Sequence, residues 1–301
     1  MSWFPEKRTQ DSWVHRFCSS ILKCGPIPNH VAFIMDGNRR FAKKNSMESA
    51  EGHLKGFDKL AETLEWCLHL GIKEVTVYAF SIENFKRSRD EVDCLMELAR
   101  QKAKLNVCFS YTSREEICTA MRELAEGVEQ GLIRETDVSE ELLERCLYTN
   151  QSVEPDLLIR TSGEVRLSDF LLWQSTFSVL SFLEVLWPDF SIWHMYAAIL
   201  HYQRSYAGIQ DAKEENHRLK DQLSQESDKE SILQETICSC GDKDQSEQCC
   251  HSDKCDLDLV SLRDKLNRFV GERKQREEEF IQKLNQKRDA FLENKLPARV
   301  K

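Results

Sequence analysis

An open, mostly parallel α/β sheet flanked by helices is the fold class this sequence predicts, with an amphipathic helix before it and a helical extension after it. Three observations carry the prediction. Short apolar runs of strand length alternate with segments of helical periodicity, as in chains built from strand–helix–strand units. The runs are apolar at consecutive positions rather than at every second one, which is how strands covered on both faces read. Small polar residues and arginines gather just past the ends of three of these runs.

The elements follow in order. Trp13, Val14, Phe17, Cys18, Ile21 and Leu22 form an apolar stripe at helical spacing within residues 11–24, stopped by Gly25-Pro26. Such a helix either packs on the domain or meets lipid or an apolar opening. VAFIM (31–35) is the first strand, and Phe57, Leu60, Ala61, Leu64 and Leu68 mark a helix that Gly71 closes. VTVYAF (75–80) is the second strand. Ser88 to Glu91 makes a capping box for a helix through Val92, Leu95, Met96 and Ala99. LNVCFSY (105–111) is the third strand, and a second capping box, Ser113 to Glu116, precedes Ile117, Met121 and Leu124. DLLIR (156–160) and SVLSFL (178–183) complete the set. The predicted division is a helix over 1–24, the α/β domain over 25–202, a polar helix and Cys-rich linker over 203–256, and a charged helix over 257–301.

One junction is irregular. The helix through Ala103-Lys104 enters Leu105 without Gly, Pro, Asn or Asp, although helix-to-strand loops take about 2–6 residues. The chain reads as shortened there.

Composition bounds the function. A net charge of −9 over 301 residues disfavours general nucleic-acid binding, so an anionic ligand needs a local arginine cluster. Twelve cysteines are too dilute for a disulfide scaffold. No signal peptide is visible and no stretch is long and apolar enough to span a bilayer, so a reducing, cytosol-facing setting is expected, with any membrane contact peripheral. Cys238, Cys240, Cys249, Cys250, His251 and Cys255 lack the spacing of paired zinc knuckles and read as a thiol-rich linker.

In open parallel sheets, ligands collect beyond the carboxyl ends of the strands. Three clusters fall there: Asp36-Gly37-Asn38-Arg39-Arg40; Ser81, Asn84 and Arg87; and Arg160 with the segment from Thr161 to Ser168. Guanidinium forks match phosphate oxygens, and glycine lets backbone N–H groups approach an anion. A helix opening after the turn adds its positive end. One aspartate beside them suits Mg²⁺, which takes one or two carboxylates plus substrate phosphate oxygens. Two arginine sets in one cleft suggest two phosphorylated substrates. There is no GxxxxGK[ST] loop, no GxSxG elbow and no paired DDxxD motif.

HVAFIMDGNRR, EGHLKGF, VTVYAFSIENFKRS and DLLIRTSGEVRLSDFLLWQ, in that order, resemble the cis-prenyltransferases and within them the eukaryotic, dolichol-forming branch. The resemblance covers roughly residues 25–200. It implies repeated addition of isopentenyl diphosphate, in cis, to an allylic starter such as farnesyl diphosphate. It further implies that Asp36 binds Mg²⁺, that Gly37, Asn38, Arg39, Arg40 and Arg87 cradle the allylic diphosphate, and that Arg160, Arg166 and Ser168 bind isopentenyl diphosphate. His53, Ser81 and Asn84 fall where the family has polar residues near the reacting ends.

Three departures from the family pattern matter. The family has several dozen further residues at the irregular junction: the rest of a helix, a strand and another helix, which help wall the tunnel for the growing chain. Val179 stands where bacterial homodimers carry a glutamate shortly after the third motif. The sequence ends Pro-Ala-Arg-Val-Lys, without the family's terminal Arg-x-Gly. Eukaryotic catalytic subunits share the last two features and borrow that tail from a membrane-anchored partner resembling the Nogo-B receptor. A heteromer at the cytosolic face of the endoplasmic reticulum membrane is therefore expected. The alternative is a shortened chain that binds the partner without turning over.

Overall fold

A computed structural model of the chain describes residues 13–79, 104–241 and 259–295. Within them, α1 is Trp13–Leu22, β1 His30–Ile34, α2 Asn38–Lys44, α3 Ser49–Leu70, β2 Glu74–Ala79 and β3 Lys104–Phe109. They are followed by α4 Ser113–Glu129, α5 Glu140–Cys146, β4 Leu157–Arg160, β5 Val179–Phe182, α6 Ile192–Gly241 and α7 Leu259–Lys295. The predicted helix from Ser88, with its capping box, and the Cys249–Cys255 stretch lie outside the described residues.

The five strands form one sheet in the order β3-β2-β1-β4-β5, and every neighbouring pair is parallel. Alternate residues of the central strands feed opposite cores. Val31, Phe33, Leu157, Ile159, Val75 and Val77 face a core shared with Leu60, Leu64, Cys67, Trp187, Phe190 and Tyr202. Ala32, Ile34, Leu158 and Tyr78 face a second core with Tyr111, Phe170 and Leu171. Both faces being dry is why these strands read as unbroken apolar runs.

The shortened junction does not leave β3 unpaired. Lys104 to Phe109 align with Glu74 to Ala79, so β3 joins β2 directly and ends the described sheet on that side. Its start is fastened by polar contacts. Asn106 Nδ2 donates to Glu74 Oε1 at 2.6 Å and to Thr76 Oγ1 and Ser152 Oγ at 3.1 Å each. Lys104 Nζ donates to Ser152 Oγ at 2.8 Å and pairs with Glu74 at 3.4 Å.

Helix α1 resolves the two readings of its stripe by dividing it. Leu22 is buried and Cys18 packs on the core, while Gln203 Nε2 of α6 donates to the Leu22 and Pro26 carbonyls at 2.7 and 3.1 Å. Trp13, Phe17 and Ile21, four residues apart, stay 75%, 60% and 54% exposed. The second capping box does not form as expected. Helix α4 begins on Ser113 itself, and the buried Ser113 Oγ accepts from Leu172 N at 2.8 Å. Thr112 Oγ1 caps Glu115 N at 3.4 Å. Glu116 instead accepts from Tyr148 N at 2.8 Å.

The chain divides into two compact units, 1–115 with 151–213 and 116–150 with 214–301. The first contains the sheet. In the second, Arg276 of α7 donates to both oxygens of the fully buried Asp137 at 2.8 and 2.7 Å, and the Phe280 ring lies over Gly127. Cys18, Cys24, Cys67, Cys108, Cys118 and Cys146 are free thiols, and burial pushes Cys67 and Cys146 up to about 12, which leaves both unreactive.

Candidate functional site

The carboxyl ends of β1 and β4 adjoin, since Ile34 pairs with Arg160, so the segments leaving them meet. After β1 the chain turns at Gly37, whose φ of 108° is left-handed and easily reached by glycine alone. A Cβ there would also come within 2.9 Å of Leu186 Cδ2 and 3.2 Å of the Leu186 Cα. After β4 the loop holds Ser162, Ser168, Asp169 and Leu171 at positive φ, strain of the kind that gathers at ligand sites.

Asp36 is the hub. Its Oδ1 accepts from Gly37 N at 2.7 Å and its Oδ2 from Arg160 Nη2 at 3.0 Å, with Arg40 Nη2 at 3.7 Å. The Thr161 hydroxyl donates to the Asp36 carbonyl at 2.7 Å and lies 3.1 Å from Asp36 N. Burial raises the carboxyl pKa, but hydrogen bonds from Arg160, Ser162 and Gly37 outweigh it and hold Asp36 below the ordinary carboxylate value. It is ionised at neutral pH.

Arg160 is 2% exposed, and its fork joins the two candidate halves. Nη2 holds Asp36, while Nη1 donates to Ser168 Oγ at 2.7 Å and to the Arg166 carbonyl. Its buried Nε has no partner among the described residues. Arg40 Nη1 donates to the Ser162 carbonyl at 3.1 Å, and Arg166 Nη1 to Glu164 at 2.6 Å. Glu164 also lies 3.8 Å from Arg40. Arg39 is exposed, and burial together with Arg39 lowers the pKa of His53, keeping the imidazole neutral. Arg39, Arg40, Arg160 and Arg166 outnumber Asp36 and Glu164, so a basic patch stands in a chain of net charge −9. That is the local cluster an anion requires here.

Of the residues singled out in the sequence, Asp36 and Gly37 form the turn after β1, Asn38, Arg39 and Arg40 open α2, Arg160 ends β4, Arg166 and Ser168 lie in the loop that follows it, and His53 sits on α3 close to Arg39. Ser81, Asn84 and Arg87 lie outside the described residues. The donor set fits Mg²⁺: Asp36 keeps a partly exposed carboxylate with spare lone pairs, and no cluster of three His, Cys, Asp or Glu occurs among the described residues.

Sequence reasoning missed the support behind the turn. Trp187, 1% exposed, donates its backbone N–H to the Asp36 carbonyl at 3.0 Å and its indole N–H to the Gly56 carbonyl at 2.7 Å. Asn38 lies against Gly56, where an added Cβ would sit 2.2 Å from Asn38 Oδ1 and 3.1 Å from Trp187 Cδ1. A Cβ on Gly52 would sit 2.6 Å from the Asn38 carbonyl oxygen and 2.7 Å from Ala42 Cβ. Two glycines inside α3 cost about 1 kcal/mol each relative to alanine, and that helix-opposing pair was the available signal. Asn38 Oδ1 is itself buried without a partner among the described residues, an omission worth roughly 1–3 kcal/mol.

Fold and site together define a parallel α/β protein with an arginine cluster beyond the adjoining carboxyl ends of β1 and β4. The family model for undecaprenyl diphosphate synthase matches residues 34–104 and 99–208, and the chain belongs to that cis-prenyltransferase family. It is 45% identical to a human dehydrodolichyl diphosphate synthase complex subunit over 343 aligned positions, with 97% of this chain and 98% of the human one covered. A subunit of the same description from Schizosaccharomyces pombe is 40% identical over 230 positions, covering 60% of this chain and 87% of its own. Lavandulyl diphosphate synthase from Lavandula x intermedia, solved in complex with dimethylallyl diphosphate, superposes with a TM-score of 0.51 at 32% identity. That superposition covers 59% of this chain and 95% of the plant chain. In the human alignment this chain fills about 292 of the 343 positions, which is 97% of its 301 residues, so about 51 positions lack a counterpart here. The family match breaks at 99–104, where the irregular junction lies.

Proposed function

We propose that this chain is the catalytic subunit of a Mg²⁺-dependent cis-prenyltransferase that extends farnesyl diphosphate with isopentenyl diphosphate into a long polyprenyl diphosphate for dolichol synthesis and protein glycosylation. The observation that carries it is the Arg160 fork, which joins an Asp36–Arg40 half-site to an Arg166–Ser168 half-site. Kinship with dehydrodolichyl diphosphate synthase subunits over nearly the whole chain favours an enzyme over a silent partner-binding subunit.

The chemistry follows from charge. The allylic diphosphate lies against Asn38, Arg39 and Arg40, whose donors stabilise the negative charge that grows as the allylic C–O bond breaks. Bound at Asp36, Mg²⁺ supplies further charge neutralisation at the diphosphate oxygens. Arg166 and Ser168, with Arg160 behind them, hold the isopentenyl diphosphate so that its double bond faces the allylic carbon. The new C–C bond forms there and a proton is lost from the adduct.

The finer setting is also proposed. A second subunit, resembling the Nogo-B receptor, completes the enzyme; the description of the close relatives as complex subunits supports this. Peripheral attachment to the cytosolic face of the endoplasmic reticulum is supported by the exposed Trp13, Phe17 and Ile21. No helix among the described residues is long and apolar enough to cross a membrane.

The test is incorporation of radiolabelled isopentenyl diphosphate into organic-soluble product by the chain co-expressed with its partner, given farnesyl diphosphate and Mg²⁺. Incorporation that Asp36→Ala and Arg166→Ala each abolish is expected. A co-purified complex that incorporates nothing, but gains activity when the relatives' segment is inserted after Ala103, would establish the non-catalytic reading instead.

A further inference from the structure

We propose that Gly56 and Trp187 are positioning residues that seat the Asn38 amide for the allylic diphosphate. This rests on reading Asp36 to Arg40 as the half-site for that diphosphate.

Trp187 grips the turn from two sides. Its backbone N–H fixes the Asp36 carbonyl, and its indole N–H fixes the Gly56 carbonyl, tying the turn after β1 to helix α3. The indole is itself immobilised, stacked on Phe190 with centroids 5.4 Å apart and tilted on Phe33 at 5.8 Å. Since the indole carries one N–H and Gly56 takes it, Asn38 Oδ1 receives no donor from Trp187.

The bare α-carbon of Gly56 makes the slot into which Asn38 Oδ1 fits, and any side chain there would occupy it. With Oδ1 in the slot, the amide turns its donor end, Nδ2, back toward the Asp36 turn. There it has a long 3.4 Å contact with the Met35 carbonyl. A carboxamide whose acceptor is buried without a partner among the described residues, and whose donor is weakly engaged, suits a ligand that only accepts hydrogen bonds. A diphosphate is such a ligand.

The test measures binding of inorganic diphosphate with Mg²⁺ to the chain and its partner by calorimetry, beside each variant's thermal unfolding. Asn38→Ala, Gly56→Ala and Trp187→Phe are each expected to weaken binding about tenfold, the worth of one hydrogen bond to a charged group. Trp187→Phe removes the N–H and keeps a stacked ring. Because Gly56→Ala acts through Asn38, the double variant Asn38→Ala/Gly56→Ala should bind no more weakly than Asn38→Ala alone. Additive losses, or wild-type binding in Gly56→Ala, overturn the proposal. If Gly56→Ala fails to fold, folding restored by adding Asn38→Ala supports it, and failure in both backgrounds overturns it. Wild-type complex that binds diphosphate but incorporates no isopentenyl diphosphate removes the proposed reaction while leaving the seat intact. Wild-type complex that binds no diphosphate removes the half-site on which the seat depends.

Discussion

His30 is one residue that makes this fold sensitive to acid. It is 2% exposed, with Nδ1 2.6 Å from the Val153 carbonyl and Nε2 2.7 Å from Thr76 Oγ1. A carbonyl can only accept, so Nδ1 carries the proton and Nε2 accepts from the threonine hydroxyl. Burial lowers the His30 pKa, against the raising effects of the Val153 carbonyl, Glu74 and Asp156. The unfolded chain therefore binds a proton near pH 6.5 that the folded chain refuses. Stability should be present above that pH and decline as pH falls below it, until the folded imidazole also titrates. Urea unfolding across pH 7.5 to about 5 should show that slope. It should flatten in His30→Gln; an unchanged slope would place the titration elsewhere. Asp36 follows the carboxylate pattern, its lowered pKa withdrawing stability only in more acidic solution.

At the scale of elements, helix α7 is held by charge as well as by apolar contact. Its Phe269, Phe280, Ile281 and Leu284 are buried, while Arg276 meets the buried Asp137 with two hydrogen bonds. Burial alone would raise the Asp137 pKa, and Arg276 with the Arg134 backbone N–H more than reverses it. Arg276→Ala would leave a carboxylate buried without its counter-ion, a loss of about 3 kcal/mol. Residues 259–295 should then exchange amide hydrogens markedly faster than in the wild type, and unchanged exchange would show that the pair is dispensable. In the sequence Leu262, Leu266, Phe269, Phe280, Leu284 and Phe291 recur at helical spacing within a heavily charged segment, and that made this helix legible. Its partner, an aspartate in a short turn 139 residues earlier, was not. The misread capping box at Ser113 has the same cause. Ser-x-x-Glu records two side chains able to close on each other, and tertiary neighbours Leu172 and Tyr148 engaged them first.

Across the whole molecule, the position of β3 decides where the sheet is weakest. β1 and β4 are buried along their full length, while β3 is exposed at both ends and half-buried between them. With β2 as its one described neighbour, β3 should open before the centre of the sheet. Hydrogen exchange should be faster over 104–109 than over 30–34 and 157–160; equal protection of all three would contradict this account.

The sequence by itself determined the strands, the stripe of α1 and most of the arginine-lined loops, because apolar runs, helical spacing and strand-end polarity are local signals. The irregularity at Ala103-Lys104 was legible too, since a helix cannot enter a strand without a turn. Tertiary structure alone decided that β3 would lie against β2, because parallel pairing is fixed by the packing of distant segments. It also decided that Arg160 would serve both half-sites and that Trp187 would reach Gly56, 131 residues away. A hydrogen-bond partner across that separation leaves no periodicity to read. The physical trace it left was a helix tolerating glycine at 52 and 56, where only a bare backbone lets the Asp36 turn come close enough.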